Sequence, residues 1–87
     1  MPNRYYLHVQ VDDTFADDPE GIELADLDTA RAQAVAGGRE MIARRVLSGK
    51  PIDVIEILIC DVEGSVLDRV GFTDLVRLKA ASAATGM

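Results

Sequence analysis

Tryptophan is absent from these 87 residues, and the aromatic set is limited to Tyr5, Tyr6, Phe15 and Phe72. A chain with so few aromatics and a net charge of −6 lacks the basic, aromatic-studded groove that grips single-stranded nucleic acid. Neutralising phosphates needs surplus Lys and Arg, so binding to DNA or RNA is not expected, and neither is an anionic membrane surface. Cys60 is the only cysteine. It excludes an internal disulfide and any Cys-based zinc spacing, and it fits a reducing compartment. No apolar run follows the basic start, so no signal peptide is expected, and nothing approaches the ~20 apolar residues of a membrane span. The expected setting is cytoplasmic, with no membrane partner. Gly-x-Gly-x-x-Gly and P-loop motifs are missing as well.

What is present is architectural punctuation. Asp18-Pro19-Glu20-Gly21 and Asp61-Val62-Glu63-Gly64 repeat one turn signature. In each, the Asp carboxylate is suited to accept a local backbone N–H, and the Gly three residues on takes positive φ at no steric cost. The reading places each turn where a strand reverses.

Arg4 to Val11 alternates, with Tyr5, Leu7, Val9 and Val11 on one side and Tyr6, His8 and Gln10 on the other, the period of a strand. Asp12 to Glu20 reads as an acidic loop, and Ile22 to Leu24 as a short returning strand. Asp26 is the expected N-cap of a helix whose first residue is Leu27 and which stops at Ser48-Gly49, ahead of Pro51. At 100° per residue, Leu27, Ala30, Ala34, Val35, Gly38, Met41, Ile42 and Val46 form one apolar stripe. Arg31 and Arg45 intrude on it, and the reading lays their stems along its border. Gly37 and Gly38 each cost a helix about 1 kcal/mol relative to Ala. The stripe keeps its phase across them, so one continuous helix is expected, with close approach to the sheet as their purpose.

Ile52 to Cys60 is the second main strand. Ile55, Ile57 and Ile59 face one way; Val54, Leu58 and Cys60 face the other, interrupted by Glu56. Apolar character on both sides implies that both are covered. The second turn joins this strand to Ser65 to Val70 in a hairpin. Thr73 is the expected cap of a short helix from Asp74 to about Ala81. Residues 1–81 thus form a single α+β domain, followed by a frayed tail at 82–87. The expected sheet is small, three-stranded and mainly antiparallel (β-α-β-β), with one long helix on one face and a short C-terminal helix. The preferred strand order places the third strand between the first and second, to keep neighbours antiparallel; the alternative is sequential.

The chain also resembles a family of very small alphaproteobacterial proteins classed only as a domain of unknown function. The resemblance rests on Pro2-x-Arg4-Tyr5-Tyr6, Asp18-x-x-Gly21, Glu23-Leu24-x-Asp26-Leu27-x-x-Ala30, Ile57-x-x-x-Asp61-x-x-Gly64 and Phe72-x-Asp74. It implies the β-α-β-β plan and no activity.

Candidate chemistry is sparse. The acidic loop fails the EF-hand spacing: with Gly21 in the glycine position, the first ligand falls on Ala16 and the twelfth on Leu27. His8 and Cys60 lie on different strands with no third group to complete a triad, and Cys60 reads as a buried strand residue. No catalytic residue, metal or cofactor is assigned. Tyr6, His8, Val54 and Leu58 are instead the expected association surface of a homodimer, leaving room for an unidentified protein partner. The function expected is a non-enzymatic interaction or regulatory module. Its rival is an antitoxin-like, nucleic-acid-linked regulator acting through the basic helix end at Arg39, Arg44, Arg45 and Lys50. Charge segregates along the chain: Asp12 to Asp28 holds eight acids and no base, a polarity that helix-dipole placement already explains.

Overall fold

A computed structural model describes residues 3–52 and 55–76. In chain order the elements are β1 (Asn3–Val11), β2 (Thr14–Ala16), β3 (Ile22–Leu24), α1 (Leu27–Ser48), β4 (Ile55–Cys60), β5 (Val66–Gly71) and α2 (Phe72–Leu75). They make an α+β fold: an antiparallel sheet with a long helix and a short one.

The sheet has five strands rather than three, in the order β2-β1-β4-β5, with β3 also paired to β1. One addition, β2, comes from the segment read as an acidic loop; the other, β3, is the short returning strand expected at Ile22 to Leu24. Asp12, at φ 53°, turns the chain back at once, so that Val11 faces Thr14 and Val9 faces Ala16. The reversal therefore lies at Asp12-Asp13, not at the first Asp-x-Glu-Gly turn. If that register ran on, Tyr5 would meet Glu20; it meets Ile22 instead. Two residues are looped out, and β2 and β3 are the halves of one interrupted edge strand. This strand also decides the sheet order. It reverses the chain before α1, so β4 returns antiparallel to β1 and pairs with it directly over Tyr6–Val11 and Ile55–Cys60. The sequential order thus replaces the preferred one, since nothing remains for an interposed strand to correct. The arrangement also puts the two most apolar strands in the centre and leaves β5, with Asp68 and Arg69, at an edge.

Helix α1 starts and stops where its caps dictate. Asp26 Oδ1 accepts the Thr29 N–H at 2.8 Å, and Gly49, at φ 71°, returns its N–H to the last turn. The helix is unbroken through Gly37-Gly38. Its small-residue line Ala30, Ala34 and Gly38 is buried against Tyr5, Ile55, Ile57, Ile59, Val70 and Leu75. A Cβ on Gly38 would stand 2.7 and 2.8 Å from the Leu75 methyls and 3.2 Å from Ile57 Cδ1, so close approach explains this glycine. Gly37 faces open space. Val46, expected on the stripe, is 64% exposed. Twenty-two helical residues span ~33 Å whereas a six-residue strand spans ~20 Å, so the stripe outruns the sheet.

Helix α2 begins earlier than expected, at Phe72, after the N-cap Gly71, whose N–H donates to Asp74 Oδ2 at 2.9 Å. Thr73 is therefore inside the helix, and Asp74 holds its start. Leu75 packs into the notch over Gly38. Arg31 ties this end down, reaching Asp68 Oδ2 at 2.9 Å and Asp74 Oδ1 at 3.0 Å, while Arg39 Nε donates to the Leu75 carbonyl. Arg31 and Arg45 do lie at the stripe's border, Arg45 meeting Asp12 at 3.2 Å. The continuation of the short helix to Ala81 and the tail at 82–87 fall outside the described residues.

Candidate functional site

Strand alternation sorts the sheet into two faces. Tyr5, Ile55, Ile57, Ile59 and Val70 are buried in the core under α1, with Leu7, Val9 and Val11 packed against them. The opposite face carries Arg4, Tyr6, His8 and Gln10 from β1, with Leu58 directly across from His8 and Cys60 across from Tyr6. Phe15 lies across from Gln10 on the other side. The rings form a short row: Tyr6 stacks on His8 with centroids 6.5 Å apart, and His8 meets Phe15 at 5.9 Å. Two cross-strand ion pairs border the row, Arg4–Glu23 at 3.4 Å and Arg69–Glu56 at 3.7 Å.

Of the expected association residues, Tyr6, His8 and Leu58 thus share one face, and Val54 lies outside the described residues. Phe15, 49% exposed, belongs to the same face and escaped the sequence reading. Its three-residue strand is too short to show alternation. The described part of the C-terminal segment does not cover this face. Leu75 goes to the helix side instead, where it is 3% exposed beside Gly38.

Side chains occupy strand N–H groups at β5 and at the gap between β2 and β3. At β5, Arg69 N–H donates to Asp68 Oδ1 at 2.8 Å, Arg31 donates to the Arg69 carbonyl at 3.3 Å, and Gly71 N–H goes to Asp74. At β1, the gap between β2 and β3 bares Leu7 N–H, which donates to Asp18 Oδ2 at 3.2 Å. Asp18 Oδ1 accepts Gly21 N–H at 3.0 Å, and Gly21 sits at φ 71° hard against the Tyr5 carbonyl, where no side chain fits. Burial pushes the Asp18 carboxyl upward, but the N–H groups of Gly21, Leu7 and Glu20 and the nearby His8 more than offset it, so the acid is held below its ordinary value. Carboxylates on edge N–H groups are one way to keep a strand from recruiting another strand.

The rest of the chemistry is structural. Burial, then the neighbouring Asp61 carboxylate, pushes the Cys60 thiol up, which suits a packed side chain and not a nucleophile. Asp61 performs the turn role read from its motif, accepting Glu63 and Ser65 N–H at 2.9 Å each, with Gly64 at φ 86°. A shallow cleft of about 270 Å³ lies between Asn3, Arg4, Tyr5, Asp61, Val62 and Leu67, and Asp61 is already spent on its own turn. Among the described residues, no three His, Cys, Asp or Glu side chains converge as a metal site would need, and no helix is long and apolar enough to cross a membrane.

A family model described as Domain of unknown function (DUF6894) matches residues 4–73. No curated protein and no solved structure matches the chain.

Proposed function

The chain belongs to the DUF6894 family, a domain of unknown function, and we propose that it acts as a non-enzymatic interaction module that pairs with a second copy of itself through the sheet face opposite α1. The observation that carries this reading is an aromatic face that neither helix covers among the described residues. Tyr6, His8, Phe15 and Leu58 lie together on that face, and α2 packs elsewhere. Asp68 and Asp74 occupy N–H groups of β5, which disfavours strand addition at that edge and favours face-to-face contact. A second copy suits this face better than a charged partner does. The molecule carries −6, yet the face pairs Arg4 with Glu23 and Arg69 with Glu56. A locally balanced surface avoids like-charge repulsion when it meets its own image, and two-fold pairing is the commonest closed solution.

Of the basic helix end that the nucleic-acid alternative needs, Arg39 serves the Leu75 carbonyl, Arg45 serves both Asp12 and the Pro51 carbonyl, and Arg44 lies 3.9 Å from Glu40, while Lys50 is exposed. Amide hydrogen exchange on serial dilution tests the proposal. Protection that falls with concentration at Tyr6, His8 and Leu58, and not along α1, is the expected result. Sub-micromolar binding of DNA or RNA at physiological salt, with exchange independent of concentration, would overturn it.

A further inference from the structure

We propose that His8, Asp17 and Asp18 form a proton-operated latch: protonation moves His8 Nδ1 from the Asp18 N–H, which it accepts, to the Asp17 carboxylate, to which it then donates, and frees the 17–21 loop from the edge of β1. The geometry holds both arrangements ready. Asp18 N–H points at His8 Nδ1 at 3.0 Å, so that nitrogen carries a lone pair and the neutral ring keeps its proton on Nε2. Asp17 Oδ1 stands 3.5 Å from the same Nδ1, two acceptors with no hydrogen between them. A proton arriving at Nδ1 reverses each relation. The Asp18 N–H then faces another donor, while Asp17 gains a charge-assisted bond.

The consequence travels along the backbone of one residue. The Asp18 whose N–H is displaced is the residue whose carboxylate closes Leu7 N–H and Gly21 N–H. The ring is accessible, at 20% side-chain exposure, and Asp17, at 73%, is free to swing toward it. Tyr6 and Gln10 flank His8 on β1, and Phe15 faces it from β2. Leu58 lies opposite on β4 between Glu56 and Cys60, and Asp17 and Asp18 come from the loop. Asp17, Asp18 and Glu56 are acids; the bases are Arg69, opposite Leu58 and paired with Glu56, and Arg4, on the same β1 face beyond Tyr6 and bonded to the Glu20 carbonyl and Glu23. Histidine is the side chain that changes charge between about pH 5 and 8.

His8 also lies in the middle of the face proposed for self-association. Two-fold pairing brings two such rings into one interface, so the latch weakens pairing on acidification; that second effect rests on the association reading, and the loop effect does not. The test is an amide chemical-shift titration of the full chain from about pH 8 to 5, the range in which histidine titrates, with sedimentation at both ends. His8→Gln is the control, because its amide oxygen accepts the Asp18 N–H without titrating. Leu7, Asp18 and Gly21 amides are expected to move together with one midpoint in the parent chain and to stay still in His8→Gln. Pairing is expected to weaken at least several-fold at the acid end in the parent alone, although the falling net charge acts the other way. Moving amides in a chain that is monomeric throughout uphold the latch and remove the association reading. Still amides, or the same movement in His8→Gln, overturn the latch even if the chain is a dimer at both ends.

Discussion

Asp18 binds three groups at once, and its removal is the sharpest single-residue test of the interrupted edge. Its carboxylate closes Leu7 and Gly21, and its N–H meets His8. Asp18→Ala leaves two part-buried N–H groups without their acceptor, at a cost of about 1–2 kcal/mol, and a lowered thermal midpoint checks it. The pH sign follows from the depressed carboxyls of Asp18 and Asp68. A carboxylate held below its ordinary 3.8 stabilises the fold above that value, and the contribution disappears as pH falls through the folded-state value. Stability is therefore expected to decline below about pH 4, and Asp18→Asn to flatten the decline. The adjacent glycines make a second contrast. Gly37→Ala fills open space in a helix and should add about 0.5–1 kcal/mol. Gly38→Ala drives a methyl into Leu75 and should lose that gain and more, by about 1–3 kcal/mol relative to its neighbour. Equal midpoints for the two variants would show that α2 does not seat over Gly38.

At the scale of elements, α1 was the most legible part of the chain. Asp26 and Gly49 mark its ends with side-chain and backbone chemistry that acts within one turn, so neighbouring residues suffice to read them. The Asp61 turn was legible for the same reason, as was the sharing of one face by Tyr6, His8 and Leu58, since strand alternation is local. β3 was expected as a short returning strand, but β2 was not read. A three-residue strand has no period to detect, and what forms it is an edge of β1, several residues away in sequence. Leaving the returning strands out of the sheet also led to the wrong preference in strand order. Val46 shows a different limit: periodicity gives the direction of a side chain and says nothing of where the sheet beneath it ends. The helix–sheet packing predicts a gradient of damage. Ala34, at 2% exposure, has no room for a charge, whereas Met41 is half-buried. Ala34→Asp should abolish the folding transition, and Met41→Asp should lower the midpoint while leaving a cooperative fold, as circular dichroism melts would show. The reverse ranking would place the helix in a different rotation.

For the whole molecule, small size and one-sided cover act together. A chain of 87 residues has a thin core, burying about 60–65% of its unfolded surface, and its long helix lies over one sheet face. The proposed pairing through the other face would add buried area, so melting temperature should rise with protein concentration. Leu58 sits at the centre of that face, opposite both His8 and Arg69. In the proposed dimer a carboxylate there would meet its own copy across the two-fold axis, without entering the helix-side core. The most direct measurement is sedimentation equilibrium of the parent chain and Leu58→Glu at tens of micromolar and physiological salt. The expected result is a dimer mass for the parent and a folded monomer for Leu58→Glu, a weakening of at least ~10-fold, or about 1.4 kcal/mol. A clean monomer mass for the parent chain would contradict the proposed association.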